Sequence, residues 1–324
     1  MKALLCTQFG PPDLLEIRDL PSPAAGQGEV VITVKAASVN FPDFLIIQNK
    51  YQFKPELPFS PGSELTGVVK EVGPGVTGVT SGDRVMAFTT YGAFREEVKV
   101  ESTRVLPLPA QMDFNTGAAF LLTYGTMDHG LRDRGGLRAG ETALVLGASG
   151  GIGIASIEIA KALGARVIAC ASDADKLAVC RQHGADETID YTSENLRDRI
   201  KVLTKERGVD VVVDPVGGPY TEPALRSCAW RGRLLVVGFA AGEIPKIPLN
   251  LTLLKGCSIV GVFWGDFLRR EPDAFAASVA QLGKWFAAGQ LKPHVTATFP
   301  LDRAADAIAL MGARRVVGKV VVTM

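Results

Sequence analysis

The segment "VLGASGGIGIAS", residues 145–156, spaces small residues in a way that suits binding of a dinucleotide. Ala148, Gly150 and Gly153 follow the G-x-G-x-x-G pattern, with alanine in place of the first glycine. In that pattern the first residue allows a tight turn, the second lets a pyrophosphate approach the backbone, and the third lets a helix pack on a strand. The helix N-terminus then offers free N–H groups to the phosphates. The predicted contacts are Ser149, Gly150, Gly151, Ile152 and Gly153.

The end of the following strand, in "ARVIACASDADK" (165–176), bears on which cofactor is bound. NAD sites usually place an acidic residue there to hold the ribose 2′-hydroxyl. Here Ser172 stands at the tip, and Lys176 follows one helical turn later, where it can meet a 2′-phosphate. Asp173 would favour NAD if it served as the ribose acid. The segment as a whole favours NADPH, with Ser172 and Lys176 as predicted contacts.

Two kinds of secondary structure must position these residues. Residues 1 to about 110 hold short strands broken by glycine and proline, a pattern typical of a small, partly closed β-barrel. From about residue 125, apolar strands alternate with helices, which predicts an α/β fold with a doubly wound parallel sheet covered on both faces. The last part holds two helices and a terminal strand, and we expect it to return to the first domain.

Composition excludes several classes of function. The 324 residues carry a net charge of +1, and no basic tract indicates a nucleic-acid partner. The N-terminal apolar run is too short for a signal sequence, and no run reaches membrane-spanning length, so we expect no membrane partner. Five scattered cysteines without CxxC spacing predict reduced, buried thiols and a cytoplasmic location.

The sequence resembles the medium-chain dehydrogenase/reductase superfamily, and most of all its zinc-independent quinone oxidoreductases related to zeta-crystallin. The resemblance rests on motifs in order along nearly the whole chain, among them "ASVNFPDF" (37–44), "LPFSPGSELTGVV" (57–69), "GDRV" (82–85), "GASGGIG" (147–153) and "GKVVV" (318–322). It implies a GroES-like domain over 1–122, a Rossmann dinucleotide-binding domain over 123–264, and a return of 265–324 to the first domain.

The zinc-dependent branch of the superfamily differs from this chain at its metal ligands. It would have a cysteine near Ser38 or Asn40, a histidine at Ser63, and four close cysteines after "GDRV"; all are missing here. The three histidines, His129, His183 and His294, lie outside the matching motifs, and we interpret them as surface or structural residues. We therefore predict no metal. Without a Lewis acid, hydride delivery to an electron-poor acceptor is favoured over alcohol oxidation.

The resemblance also implies roles for individual residues. Thr123 and Tyr124 would lie near the nicotinamide, and Lys319 would return from the tail to the cofactor. Tyr191 would join Lys176 at the 2′-phosphate, although it could equally cover the core. The residues implied at the carboxamide end of the cofactor are Gly238, Phe239, Phe263, Trp264 and Gly265. For Phe263 and Trp264 the alternative is membership of the last strand of the sheet.

Two residues in the loop "VNFPDFLIIQNKY" (39–51) are the predicted catalytic residues. Tyr51 would donate its phenolic proton to the acceptor's oxygen, and Asn40 would donate from its amide or hold the cofactor's ribose. The alternative for Tyr51 is that it only shapes an apolar slot. Some donor must meet the negative charge that hydride delivery creates.

The leading hypothesis is an NADPH-dependent reductase of a quinone or similar acceptor. The alternatives are an enoyl-thioester or enone reductase and a non-catalytic NADPH-binding protein. We also expect a homodimer, because "GCSIVGVFW" (256–264) has the position of an edge strand and carries no charge or proline to block pairing. The resemblance implies the same arrangement.

Overall fold

The computed structural model describes all 324 residues, Met1–Met324, which form two compact units. The first unit contains Met1–Leu122 and His294–Met324, and the second contains Thr123–Pro293. The first division falls at the expected position. The second falls at 293/294 rather than the expected 264/265, because the helices that follow the last strand pack inside the second unit. Ser278, for example, donates a hydrogen bond to the buried carboxylate of Asp128.

The elements are numbered here in chain order. The segment before residue 123 contains β1 (Lys2–Cys6), β2 (Leu15–Asp19), β3 (Glu29–Val39), α1 (Phe41–Ile46), β4 (Glu64–Val72), β5 (Arg84–Phe88), β6 (Glu97–Glu101), β7 (Val105–Pro107) and α2 (Phe114–Ala118), and it ends in the first residues of α3 (Leu121–Asp128).

The middle segment continues from α3. It contains β8 (Thr142–Val145), α4 (Gly151–Ala162), β9 (Arg166–Ala171), α5 (Ala174–Gln182), β10 (Glu187–Asp190), α6 (Leu196–Thr204), β11 (Val209–Asp214), α7 (Thr221–Arg226), β12 (Cys228–Val236), α8 (Asn250–Lys255), β13 (Ser258–Gly261), α9 (Trp264–Arg270) and α10 (Pro272–Ala287). The segment from residue 294 contains β14 (Val295–Pro300), α11 (Ala304–Gly312) and β15 (Lys319–Thr323).

The first unit is built on a seven-stranded sheet with the order β14-β15-β3-β4-β5-β7, and β6 also pairs with β3. Every pair is antiparallel except β14 with β15. Alternate residues of β3, such as Val30, Ile32 and Val34, enter the main core of this unit. This is the GroES-like domain that the sequence predicts. The C-terminal strand β15 pairs with β3, so the tail does return to the first domain.

The second unit contains a fully parallel sheet with the order β10-β9-β8-β11-β12-β13. Its central strands β8 and β11 are buried throughout and mostly β-branched, as a sheet covered on both faces requires, with Asp210 and Asp214 as the buried charged residues of β11. The order reverses between β8 and β11, and ligands of doubly wound folds bind at the carboxyl ends of strands beside such a reversal. The Rossmann-type prediction is confirmed.

The strand β13 is the edge of this sheet, as predicted. It ends at Gly261, however, and Phe263 caps the next helix, α9, which begins at Trp264. The alternative that Phe263 and Trp264 belong to the strand is therefore wrong. Only Ser258–Gly261 pair with β12, because the chain turns into α9 directly after them.

All five cysteines are free and buried, in agreement with the prediction that they serve as small apolar residues. The cytoplasmic location remains a prediction. No helix combines the length and the apolar character that crossing a bilayer requires.

Candidate active site

The glycine turn joins β8 to α4 beside the reversal of strand order. Gly147 has a φ of +57°, in the left-handed region that favours glycine. A Cβ on Gly153 would lie 2.4 Å from the carbonyl carbon of Ala148, so only glycine allows α4 to pack this closely. A Cβ on Gly150, the N-cap of α4, would approach only the carbonyl oxygen of Gly147, at 3.5 Å. The backbone before α4 is therefore open to a phosphate group.

The remaining residues predicted in this turn occupy the same short stretch. Ser149 is buried within the turn, whereas Gly151 and Ile152 are half-buried in the first turn of α4. The N–H groups in the first turn of this twelve-residue helix have no partner within the helix, and they point out of its N-terminal end, beside Gly150.

Ser172, Asp173 and Lys176 form a polar group at the carboxyl end of β9. Asp173 is the N-cap of α5, since its Oδ1 accepts from the backbone N–H of Lys176 at 2.9 Å. That N–H and the Lys176 ammonium, 3.1 Å from Oδ2, lower the pKa of Asp173. The Lys176 ammonium also donates to the Ser172 hydroxyl at 2.8 Å. Asp173 Oδ2 also accepts from the Ser172 hydroxyl at 3.1 Å, so both oxygens of Asp173 are engaged, and the Lys176 ammonium keeps one N–H beyond its contacts with Asp173 and Ser172.

Tyr191 lies beside the end of β9, where its backbone N–H donates to the carbonyl oxygen of Ala171 at 3.3 Å. Its half-buried ring packs against Tyr220, with centroids 4.4 Å apart, and against the core of the second unit. Burial raises the pKa of Tyr191 to about 12, so the hydroxyl remains a donor. The packing fits the core-covering role, and the position near Ser172 also fits the predicted phosphate contact.

The loops after β8, β11 and β12 lie next to one another. A Cβ on Gly147 would be 2.8 Å from the Val216 side chain, and one on Gly217 would be 2.9 Å from the ring of Phe239. Gly238 stands immediately before Phe239 at the end of β12. The fold therefore brings Gly238 and Phe239 to the same edge of the sheet as the glycine turn.

Within the segment Phe263–Gly265, Trp264 is the residue that packs. Trp264 is buried, and a Cβ on Gly125 would lie 2.8 Å from its Nε1. Its ring also packs edge-on against Phe275, with centroids 6.1 Å apart. The indole therefore supports α3, which carries the buried Thr123, and the predicted contact of Trp264 with the cofactor remains a prediction. Phe263 is largely exposed and Gly265 lies in the first turn of α9.

A buried polar cluster lies at one end of the neighbouring strands β15, β3 and β4 in the first unit. Its members, Ser38, Asn40, Glu64 and Lys319, are each at most 4% exposed. Glu64 is the common acceptor: its Oε2 accepts from the Ser38 hydroxyl at 2.7 Å, and its Oε1 accepts from the backbone N–H of Leu122 at 2.7 Å. The Lys319 ammonium lies 3.5 Å from Oε2 and supplies the balancing charge.

Lys319 also sets the orientation of Asn40. Its Nζ donates to Asn40 Oδ1 at 2.5 Å, and because an ammonium group can only donate, the amide must present its oxygen there. The amide nitrogen then faces Ser38, at 3.2 Å from Oγ and 3.4 Å from the carbonyl oxygen. Nδ2 also lies 3.5 Å from Glu64 Oε2, so its two N–H groups face three acceptors, all at or beyond the long end of the ordinary hydrogen-bond range. Burial lowers the pKa of Lys319.

Asp43 and Tyr51 extend this cluster along the predicted catalytic loop. Asp43 Oδ2 accepts from the backbone N–H of Asn40 at 2.7 Å, and burial raises the pKa of its carboxyl group to about 7. The half-buried ring of Tyr51 packs on the core of the first unit and lies 5.8 Å from that of Phe53. Burial, with the charge of Asp43, raises the pKa of Tyr51, so its hydroxyl stays protonated.

The histidines have contacts within their own units. His129 stacks on Phe267 with centroids 4.1 Å apart, and His183 Nδ1 lies 2.6 Å from Glu158 Oε1. The carbonyl oxygen of His294 accepts from the backbone N–H of Lys319. No three His, Cys, Asp or Glu side chains come together as a metal would require. The absence of zinc remains a prediction.

Sequence reasoning missed two carboxylates that organise their surroundings. Glu64 is not among the predicted site residues, although a charged residue at the start of the apolar strand "ELTGVV" is a signal of a buried partner. Glu158 passed unnoticed within "IASIEIAKAL", where it lies on a helix that is buried along most of its length. Buried carboxylates require donors or cations, so each such position predicts a network.

Two family profiles match the chain. The family described as "Alcohol dehydrogenase GroES-like domain" matches residues 26–110, and the family described as "Zinc-binding dehydrogenase" matches residues 151–283. These ranges fall in the first and second units, respectively.

Relatives and solved structures agree with these matches. The quinone oxidoreductase-like protein 2 homolog of Nematostella vectensis is 39% identical, over 99% of this chain and 88% of its own length. The quinone oxidoreductase of Rattus norvegicus is 35% identical, over 95% and 92%. The crystal structure of Escherichia coli quinone oxidoreductase complexed with NADPH is 26% identical with a TM-score of 0.95, over 100% of both chains. The chain therefore belongs to the quinone oxidoreductase family of the medium-chain dehydrogenases/reductases, the zinc-independent family that its motifs resemble.

Proposed function

We propose that this protein is an NADPH-dependent reductase that transfers hydride to a quinone or a similar electron-poor acceptor. The observation that carries the proposal is the open glycine turn before α4 together with the Ser172–Lys176 donors at the end of β9. A dinucleotide bound along this edge would meet N–H groups at its pyrophosphate and a cation at its adenosine ribose. The NADPH complex of the Escherichia coli relative supports this choice of cofactor.

The residues described above fit NADPH. Gly150 and the first turn of α4 would hold the pyrophosphate, and Ser172 with Lys176 would hold the 2′-phosphate, because Asp173 is engaged as the cap of α5. Thr123, Gly238 and Phe239 are proposed at the nicotinamide end. When bound, NADPH supplies a hydride, and the acceptor needs one further proton to become the neutral, reduced product.

The first unit supplies the polar groups proposed to act on the acceptor. Asn40 is held by Lys319 with its amide nitrogen in long contacts only, which an acceptor oxygen would replace, and the nearby ammonium adds positive charge to the cluster. Such fixed donors stabilise negative charge developing on an acceptor oxygen. Tyr51 is proposed to hold its proton on Oη and to donate it to acceptors that form a basic anion.

The leading alternative is reduction of an enone or enoyl thioester. The feature that motivates it is Tyr51 itself, a phenol on the loop 39–51 with a half-buried ring beside Phe53, because a carbanion or enolate needs a positioned proton donor. A quinone needs this donor less, since the hydroquinone anion is already stable. The two substrate classes therefore differ in how strongly turnover depends on Tyr51.

We further propose a homodimer formed through the edge strand β13. One edge of β13 has unpaired backbone groups. The neighbouring segments of the chain expose large apolar side chains, namely Trp230 of β12, Leu249 at the N-cap of α8, and Leu253 and Leu254 within α8. An uncovered apolar edge favours uncontrolled pairing, and antiparallel pairing with a second copy of β13 would cover it. A two-fold axis makes that contact self-complementary.

The test of the proposed function is oxidation of NADPH by the purified protein against a panel of quinones, enones and enoyl thioesters, with and without a chelator. We expect turnover with quinones, a preference for NADPH over NADH, and no effect of the chelator. Turnover confined to enoyl substrates would establish the alternative. Tight NADPH binding without turnover of any acceptor would point to a non-catalytic binding protein.

A further inference from the structure

Glu158 is a buried carboxylate in the middle of α4, only 4% exposed. Its Oε2 accepts from the Tyr124 hydroxyl at 2.7 Å and from the backbone N–H of Lys292 at 2.8 Å. Its Oε1 lies 2.6 Å from His183 Nδ1. Burying a carboxylate is costly unless its oxygens receive hydrogen bonds, and here the partners come from three other segments of the second unit.

The position of these partners in the chain is informative. The second unit spans Thr123–Pro293, so Tyr124 is its second residue and Lys292 its second-last. The segments by which the chain enters and leaves this unit are therefore bonded to one oxygen atom. His183 is the C-cap of α5, the helix whose N-terminus carries Lys176. The Glu158 side chain thus connects α4 to Tyr124 in α3, to His183 at the end of α5, and to Lys292 in the segment that leaves the second unit.

We propose that Glu158 is a positioning residue that fixes the entry and exit segments of the second unit and, through Tyr124, holds Thr123 in place for the cofactor. The part that concerns the cofactor rests on the proposed function; the anchoring itself does not. Burial and the neighbouring Glu158 raise the pKa of Tyr124 well above its ordinary value, so the hydroxyl remains a donor throughout the working pH range.

Three variants separate anchoring from simple packing. Glu158→Ala removes the acceptor. Glu158→Gln keeps one oxygen for Tyr124 and Lys292 and turns its amide toward His183, whose ring nitrogen accepts in one neutral tautomer. Tyr124→Phe removes a single donor. The matched control is Ser156→Ala, because Ser156 is buried in the same helix but donates only to the carbonyl oxygen of Ile152, at 2.6 Å.

The measurements are amide hydrogen exchange of the unliganded protein and steady-state kinetics with NADPH. Opening of a segment raises its exchange rate, so we expect Glu158→Ala to accelerate exchange about tenfold or more at 122–126 and 289–294. We expect its KM for NADPH to rise about tenfold with kcat within about threefold. Glu158→Gln should stay within about twofold of wild type in both readouts, Tyr124→Phe should fall between the two, and Ser156→Ala should match wild type.

Three results would overturn the proposal: unchanged exchange at both segments in a folded Glu158→Ala protein, equal acceleration over the whole second unit, or a Glu158→Gln variant as impaired as Glu158→Ala. If Glu158→Ala does not fold, wild-type exchange at both segments in Tyr124→Phe would overturn it. Because exchange is measured without NADPH, a protein with no reductase activity would refute the proposed function while still testing the anchor.

Discussion

The ammonium group of Lys319 donates to the side-chain oxygen of Asn40 at 2.5 Å, although the two residues are 279 positions apart in the chain. The contact exists because β15 pairs with β3, which carries the C-terminal segment back into the first unit. Lys319 also balances the charge of Glu64, so the last strand completes the polar cluster as well as the sheet. The stability of this unit and the geometry of Asn40 therefore depend on the same lysine.

Replacing Lys319 by methionine should be strongly destabilising, because it leaves the Glu64 carboxylate buried without a cation. Removing one partner of a buried ion pair typically costs about 3–5 kcal/mol, and we expect Lys319→Met to lower the free energy of unfolding by that amount in urea titrations. The double variant Lys319→Met/Glu64→Gln should recover at least half of the loss. Equal loss in the single and double variants would mean that the two charges are not coupled.

Asp43 should make stability fall as pH rises. Its pKa is about 7 in the folded protein, above the value of 3.8 expected when unfolded, so the folded state holds the proton more tightly. The resulting stabilisation is complete below pH 3.8 and is lost as pH rises toward 7, on the order of 4 kcal/mol in total. Asp43→Asn cannot titrate, so the stability of the variant relative to wild type should increase from pH 5 to 8. A difference in Tm that stays constant over this range would contradict the assignment.

The sequence predicts the second unit well because its signals are local. Each strand and helix between residues 142 and 236 shows its own periodicity, and the turn at Gly150 is recognisable from spacing alone. The end of the sheet was harder to place. "GVFW" continues an apolar run, and only the structure shows that pairing ends at Gly261 and that α9 begins at Trp264, which packs against Gly125.

The polar networks were predicted only in part, because their members are distant in sequence. Asn40 and Lys319 were each expected near the cofactor, but nothing local indicates that they touch, or that Glu64 accepts from Ser38 and Leu122. Pairing of β15 with β3 and of β3 with β4 brings Lys319, Asn40, Ser38 and Glu64 together, and the start of α3 adds Leu122. Such contacts follow from topology, which a single sequence predicts less reliably than its individual elements.

Lys176 should determine the preference for NADPH. Lys176→Ala removes a donor and a positive charge from the end of β9, and a charge-assisted contact with phosphate of about 1–2 kcal/mol implies a KM for NADPH roughly tenfold higher. The KM for NADH should stay within about twofold. Lys284→Ala, which removes an exposed lysine from α10, is the control for lost net charge. If the wild-type protein uses NADH as well as NADPH, Asp173 contributes as a ribose ligand and the assignment fails.

The proposed dimer should depend on β13. Ile259 is partly exposed on this edge strand, and Ile259→Lys places a charge where a second strand would pair. We expect light scattering at micromolar concentration to give a dimer mass for wild type and a monomer mass for Ile259→Lys. Val202→Lys makes the same type of change at an exposed side chain of α6 and should leave the dimer intact. A monomeric wild-type protein would refute the proposal.

Tyr51 should distinguish the two classes of acceptor. Hydride transfer to a quinone yields a stable hydroquinone anion that solvent can protonate, whereas hydride transfer to an enone or enoyl thioester yields a more basic anion that benefits from a positioned acid. For the proposed quinone reductase, Tyr51→Phe should leave kcat with quinones within about twofold of wild type, because the ring still packs on the core and preserves orientation. Any turnover of enoyl substrates should fall about a hundredfold. Steady-state assays of both substrate classes with the same preparation decide the matter: a large loss with quinones would make Tyr51 a general acid in the main reaction, and an unchanged rate with enoyl substrates would remove it from the catalytic residues.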